Sequence, residues 1–135
     1  MAESVMRQMV RERGWADRVR VDSAATSTEE IGNPVHPGTQ RKLREKGVAP
    51  AEHRAVQMTR ADYDRYELLV GMDSANLRNM LRILGGDPQG KVLRLLDFTA
   101  QPRDIADPWY TGDFEATYRD VRAGCEALLE QLACE

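Results

Sequence analysis

The strongest constraint on the fold is a pair of short apolar runs separated by one capped helix. Tyr66-Glu67-Leu68-Leu69-Val70-Gly71-Met72 is largely apolar without alternation, the pattern of a strand covered on both faces. Asp73 or Ser74 is placed to cap the helix that follows, which carries Leu77, Leu81 and Leu84 until Gly85-Gly86-Asp87-Pro88 breaks it. Val92-Leu93-Arg94-Leu95-Leu96 then supplies another strand. Strand, helix and strand in this order imply parallel pairing through a right-handed crossover, hence an α/β fold with helices on its faces.

The flanking segments fit that class. Residues 2–13 place Val5, Met6, Met9 and Val10 on one face and Arg7, Arg11 and Glu12 on the other, with Gly14 as the stop. Val19-Arg20-Val21 alternates like a short strand and runs into the small-residue loop Asp22-Ser23-Ala24-Ala25-Thr26-Ser27, which Asn33-Pro34 and His36-Pro37-Gly38 continue. Residues 39–46 read as a helix ended by Gly47, and residues 113–132 as a closing helix with Phe114, Thr117, Val121, Leu128 and Leu132 near one face.

A chain of 135 residues with 41% hydrophobic content fits one domain, residues 1–135, around one core. The net charge of −3 arises from 22 acidic and 19 basic residues that are interspersed, so no basic stripe points to nucleic acid. No apolar run approaches the ~20 residues of a membrane span, and the amino terminus has helical periodicity rather than that of a signal peptide. The expectation is a cytoplasmic protein. Cys125 and Cys134 have no His or Cys neighbour at metal-ligand spacing and read as ordinary thiols, so neither a metal nor an organic cofactor is implied.

Ligands on parallel sheets bind at the carboxyl ends of the strands. Two loops occupy that end: residues 23–37 after the first strand candidate and residues 101–112 after the last, the latter containing Asp107-Pro108-Trp109-Tyr110. From the dipeptide alone, Asp107-Pro108 is simply a turn. The ordered neighbours favour a different reading.

Val21-Asp22-Ser23-Ala24-Ala25-Thr26-Ser27, Ile31-Gly32-Asn33-Pro34, His53-Arg54-Ala55-Val56-Gln57, Met72-Asp73-Ser74-Ala75-Asn76-Leu77-Arg78 and Asp107-Pro108-Trp109-Tyr110 follow one another in the order and approximate spacing of the low-molecular-weight protein-tyrosine-phosphatase family. The chain resembles that family, of bacterial type, from end to end. Each motif is weak alone, whereas five in order are specific. The resemblance implies a flavodoxin-like or Rossmann-like, three-layer fold: a four-stranded parallel sheet with helices on both faces and the first strand in its middle. Here only three strand candidates are present, so the sheet is expected to lack that central strand.

The same resemblance implies hydrolysis of phosphotyrosine monoesters, on a protein or a small aryl phosphate, through a cysteinyl-phosphate intermediate. A cysteine thiolate at a helix amino terminus attacks phosphorus, and an arginine of the same Cys-x5-Arg loop grips the phosphoryl oxygens. Asp107 matches the general acid that protonates the departing tyrosine oxygen. Trp109 and Tyr110 match the aromatics walling the substrate slot, Trp109 standing where tyrosine is usual. Glu29 falls where the opposite wall carries an aromatic, so a carboxylate there is expected to disfavour acidic peptides. Ser23 and His53 match residues that hydrogen-bond an asparagine of the phosphate loop and hold that loop open. His53, in the polar run Glu52-His53-Arg54, also reads as a surface or capping histidine, and Asp73 and Asn76 read as helix-start residues.

The phosphate loop itself is absent from the sequence. Position 131, six residues beyond Cys125, is Gln131, no glycine-rich turn precedes it, and neither cysteine qualifies as nucleophile. Met1-Ala2-Glu3-Ser4-Val5 resembles the start of the helix immediately after that loop, so Met1 is expected to be an internal methionine of a longer protein and the chain as given to be inactive. Without a central strand, residues 19–21 and 68–72 would line a gap of unpaired amides and carbonyls costing roughly 1–3 kcal/mol each if buried, against a total stability of about 5–15 kcal/mol. An exposed edge of that kind favours self-association. Two other classes stay open: a non-catalytic binding module built on the aromatic loop, and an arsenate reductase, for which Cys125 and Cys134 are poorly placed.

Overall fold

A computed structural model describes residues 1–26, 37–49 and 56–134, and for Trp109 and Tyr110 the backbone alone. Helix α1 (Ala2–Glu12) buries Glu3, Ser4, Val5, Met6, Met9 and Val10. Its amino end has no side-chain cap, in line with the sequence. Helix α2 (Pro37–Glu45) follows, then a short α3 (Asp62–Arg65), strand β1 (Leu69–Gly71), helix α4 (Ser74–Leu84), strand β2 (Val92–Arg94), a 3-10 turn (Leu95–Phe98), a short α5 (Pro108–Thr111) and the long α6 (Phe114–Ala133).

The expected crossover is present. β1 and β2 pair in parallel, with Val70 opposite Leu93, and α4 connects them. Asp73 supplies the cap: its carboxylate accepts from the Asn76 amide at 2.7 Å, while the Asn76 side-chain oxygen accepts from the Asp73 amide at 3.3 Å. Asp73 and Asn76 are thus the reciprocal helix-start pair that their spacing suggested. At the other end Gly85 sits at φ 80°, a left-handed conformation open to glycine without cost, and its amide closes the helix on Leu81.

Two strand expectations are corrected. Val19-Arg20-Val21 is not a strand, because among the described residues no strand lies beside it, and its backbone groups are satisfied by other means. The Val19 amide bonds back to Trp15 O at 3.0 Å. The Val21 carbonyl accepts from Arg7 Nε at 3.0 Å and Nη2 at 2.9 Å. The second run is a strand only through Arg94: the Asp97 carboxylate takes the Arg94 amide at 2.8 Å and turns Leu95 and Leu96 into the 3-10 helix, where both are buried. Among the described residues the sheet therefore has two strands, supplemented by an isolated parallel bridge between Ala25 and Gln57.

The gap expected beside residues 19–21 is spanned by side chains. Arg7 is gripped by Glu3 at 2.9 Å and lies 3.5 Å from Asp22, whose other oxygen accepts from Arg20 and from the Tyr66 hydroxyl at 2.7 Å. The Tyr66 hydroxyl, with the two arginines, holds the Asp22 carboxyl below the usual carboxylate range. Val19 and Val21 still pack on the core, so they keep their hydrophobic contribution while losing the ladder.

That core joins α1, α6 and the 3-10 turn. Leu129 is fully buried in it, as are Val5, Val121 and Leu43 at 1% exposure or less. Cys125, 2% exposed on α6, has its thiol pushed up to about 12 by burial. Gly124 permits the close approach of α6 to the turn, since a Cβ there would stand 2.4 Å from Leu95 Cγ.

Two outcomes follow from this packing. Gly124→Ala is expected to lose about 1–3 kcal/mol to overpacking and to regain about 1 kcal/mol of helix propensity, for a net destabilisation of up to about 2 kcal/mol in urea unfolding. Arg7→Met strips donors from the Val21 carbonyl and leaves the buried Glu3 carboxylate without its guanidinium. It should cost about 1–3 kcal/mol, whereas Arg20→Met, which breaks an exposed pair, should cost about 0–1 kcal/mol by the same measurement.

Candidate active site

The residues singled out in the sequence fall on three segments. Glu29 and His53 lie outside the described residues. Ser23 follows the segment that Arg7 ties down, and its hydroxyl donates to Glu3 Oε1 at 2.9 Å. Ser23 therefore has a partner within this chain, on the first turn of α1. The buried Glu3 carboxylate serves both Ser23 and Arg7, and so fixes the head of α1 to the loop after residue 21. The Glu3–Arg7 pair is an i,i+4 contact along one helix, whereas the contact with Ser23 is a tertiary one.

Asp107 is exposed and stands immediately before α5, at the amino end of the helical turn containing Pro108, Trp109, Tyr110 and Thr111. Proline suits that first helical position because its missing N–H would have no partner there. The Thr111 amide returns to the Asp107 carbonyl at 3.3 Å and the Gly112 amide to Pro108 at 2.8 Å. The Asp-Pro unit is thus a tight turn as well as the position of the candidate acid.

What sequence inspection missed is how firmly the approach to Asp107 is held. Four consecutive residues before it are each tied to a separate partner. Arg103 makes a two-pronged contact with Asp120 of α6, at 3.0 and 2.7 Å. Asp104 Oδ1 accepts from Arg94 Nη1 at 3.0 Å, from the Ser74 amide at 3.0 Å and from the Ser74 hydroxyl at 2.9 Å. Ile105, 2% exposed, buries its side chain and donates its amide to the Met72 carbonyl at 2.9 Å, directly beyond the carboxyl end of β1. The Ala106 carbonyl accepts from the Thr117 hydroxyl at 3.0 Å, and Thr117 is itself buried on α6.

The electrostatics agree with that geometry. The Arg94 contact, followed by the Ser74 donors, holds the Asp104 carboxyl below the ordinary range, and the carboxylates of Asp97 first and Asp104 second keep the Arg94 guanidinium pKa raised. Asp104 is thus held ionised, and Asp107 stands three residues further on. No local pattern in the sequence distinguishes these roles, since both acids look like loop residues.

A nucleophile is not among these parts. Cys125 is enclosed in the core with its thiol pushed up to about 12, and Cys134 closes the far end of α6 without an arginine in the Cys-x5-Arg relation. Among the described residues no group of three or more His, Cys, Asp or Glu side chains is gathered for a metal ion, and no helix is long and apolar enough to cross a membrane.

Comparison with known proteins places this arrangement. The family described as "Low molecular weight phosphotyrosine protein phosphatase" matches residues 1–135. The chain is 33% identical over 137 residues to the low molecular weight protein-tyrosine-phosphatase YfkJ of Bacillus subtilis, a match covering 100% of this chain and 88% of the relative. It is 33% identical over 133 residues to PtpA of Staphylococcus epidermidis, covering 98% of this chain and 84% of PtpA. In three dimensions it superposes on the crystal structure of Bacillus subtilis YfkJ with a TM-score of 0.93 at 32% identity, covering 98% of this chain and 84% of that one. It superposes on SP-PTP of Streptococcus pyogenes with a TM-score of 0.85 at 34% identity, covering 97% and 82%. With a family match over all 135 residues and relatives 33% identical along essentially the whole chain, the chain belongs to the low-molecular-weight phosphotyrosine protein phosphatase family.

Proposed function

We propose that this chain carries the acid half of a phosphotyrosine phosphatase site, with Asp107 as the general acid. The observation that supports this most directly is the anchoring of residues 103–106 to four separate partners, which presents an exposed carboxylate beyond the strand ends. A proton donor to a leaving group must reach it within hydrogen-bond distance in a fixed direction, and such a base supplies that direction. The substrate class is a phosphotyrosine protein or an aryl phosphate, following the family. On that resemblance we assign Trp109 and Tyr110 to the substrate ring, Glu29 to the opposite wall, and Ser23 and His53 to support of the phosphate loop.

Chemistry on phosphorus requires a thiolate and an arginine cradle, and this sequence contains no Cys-x5-Arg. In this reading the 135 residues supply the acid and the slot, while the nucleophile must come from a separate segment. A second reading follows from the same absence: the chain acts without catalysis, holding a partner through the aromatic loop of α5. The pairing of β1 with β2, the sheet among the described residues, bears on that reading too. In a parallel ladder alternate residues face the same neighbour, so Val70 turns its amide and carbonyl away from β2, an edge suited to association with another chain.

Hydrolysis of para-nitrophenyl phosphate decides between the two. The 135-residue chain alone should be inactive, and a chimera in which a strand and Cys-x5-Arg loop of the kind the family resemblance implies precede it should be active. In that chimera Asp107→Asn should lower kcat by about 100-fold or more on a phenyl phosphate, whose leaving group needs the proton. A chimera that binds phosphate but turns over equally well with Asp107→Asn overturns the acid assignment. In the active chimera Glu29→Ala should improve kcat/KM for an acidic phosphotyrosine peptide several-fold while leaving para-nitrophenyl phosphate unchanged, and the gain should shrink in high salt. Equal gains on both substrates would remove Glu29 from the slot wall.

A further inference from the structure

We propose that Asp104, through its shared bonds to Arg94 and Ser74, is the positioning residue that sets where Asp107 stands. The inference rests on Asp107 as the acid for its functional meaning, but its structural content is independent of that role. One carboxylate oxygen of Asp104 receives three donors from two elements: the Arg94 guanidinium at 3.0 Å from the end of β2, and the Ser74 amide and hydroxyl at 3.0 and 2.9 Å from the first turn of α4. β2 and α4 are successive members of the crossover and pack on one another, so the contact ties the loop to two elements of one unit.

The remaining anchors divide into two kinds. Ile105 and Ala106 are held by a backbone bond to Met72 and a hydroxyl bond from Thr117, which restrain the chain's path. Arg103 holds α6 through a pair whose arginine is 54% exposed, and the Asp104 side chain is 48% exposed, so solvent screens both ion pairs and the distinction of Asp104 lies in the number of elements it joins. Asp104 alone links the loop to both the sheet edge and the helix that follows β1. Its contacts are charge-assisted on one side, which makes them stronger than neutral hydrogen bonds. Three peptide units separate the Cα of Asp104 from that of Asp107, so the Asp104 contact restrains the chain close to Asp107.

Arg94 has a further tie that makes the anchor stiff. Asp97 Oδ1 accepts from Arg94 Nε at 3.1 Å and Nη2 at 2.9 Å, leaving Nη1 for Asp104. The guanidinium is thereby oriented before Asp104 meets it, and the loop docks on a donor that is already in place. Asp97 lies in the 3-10 turn whose Leu95 packs on Gly124 of α6, so the orientation is referred back to the core.

The test uses the 135-residue chain itself and two readouts that do not depend on turnover. In Asp104→Ala, amide hydrogen exchange at residues 105–111 should accelerate by about tenfold or more, the change expected from loss of one charge-assisted hydrogen bond, while α1 and the second half of α6 keep their rates. Ser74→Ala should give a smaller acceleration confined to the same residues. Asp104→Asn, which retains an oxygen for the Ser74 amide, should recover part of the protection. In a Trp15→Phe background the remaining tryptophan is Trp109, and its fluorescence anisotropy should fall in Asp104→Ala and be partly restored in Asp104→Asn.

Unchanged exchange at residues 105–111 in Asp104→Ala overturns the proposal. So does an acceleration spread evenly through α1 and α6, which would make Asp104 a contributor to global stability only. Should Asp104→Ala fail to fold, the same comparison between Ser74→Ala and Asp104→Asn decides it. If the loop loosens as expected while Asp107→Asn leaves the chimera's turnover intact, the anchor stands and the acid assignment falls.

Discussion

The parallel pairing of β1 with β2 is only three residues long on each side, yet every part with chemical promise is referred to it. Met72, the residue after β1, receives the Ile105 amide; Arg94, the last residue of β2, receives Asp104; and the first turn of α4, which leaves β1 through the Asp73 cap, supplies Ser74. A parallel pair brings both carboxyl ends to the same side, and the loop that leaves β2 can therefore fold back over the end of β1. An antiparallel pair would have put those ends on opposite sides and left the Asp-Pro turn without a platform.

The strength of that arrangement lies in how its contacts are distributed. Taken singly, each contact before Asp107 is worth little: surface ion pairs are screened, and an ordinary hydrogen bond adds about 0.5–1.5 kcal/mol net. Placed on four successive residues and directed to α6, β2, α4 and the end of β1, they restrain the chain from several directions. The exposed carboxylate then stands on a base that has no soft direction. The opposite region shows the same economy, with Arg7 and Asp22 doing with side chains what a strand neighbour would do with backbone, and Glu3 joining Ser23 to the head of α1.

The chemistry of the chain is correspondingly divided. The Asp-Pro loop and the short α5 are present and held, while a Cys-x5-Arg sequence is not, and the buried Cys125 thiol, pushed up to about 12, does not ionise near neutral pH. Cys125 shows why a cysteine in a phosphatase-like chain cannot be taken as a nucleophile on identity alone: burial that serves packing raises its pKa, the opposite of what an attacking thiolate needs.

Much of this was legible in residue order. The amphipathic faces of α1 and α6, the capped helix with its glycine stop, the strand–helix–strand unit and the five family motifs are local or sequential patterns, and the physics that produces them acts within a few residues. Two things escaped that reading. Val19-Arg20-Val21 has the alternation of a strand but pairs with none, because strand formation needs a neighbour's amides and carbonyls, and these are supplied from elsewhere in the fold. Leu95 and Leu96 continue an apolar run, yet Asp97 captures the Arg94 amide and bends them into a turn. The sequence by itself determined the four longer described helices, α1, α2, α4 and α6, the parallel crossover and which acid precedes the proline, whereas the short α3 and α5 emerged only in the structure. Only the tertiary structure decided that Asp104, and not its neighbours, would meet Arg94 and Ser74, since that contact joins residues 10 and 30 positions apart and depends on the parallel strands ending side by side.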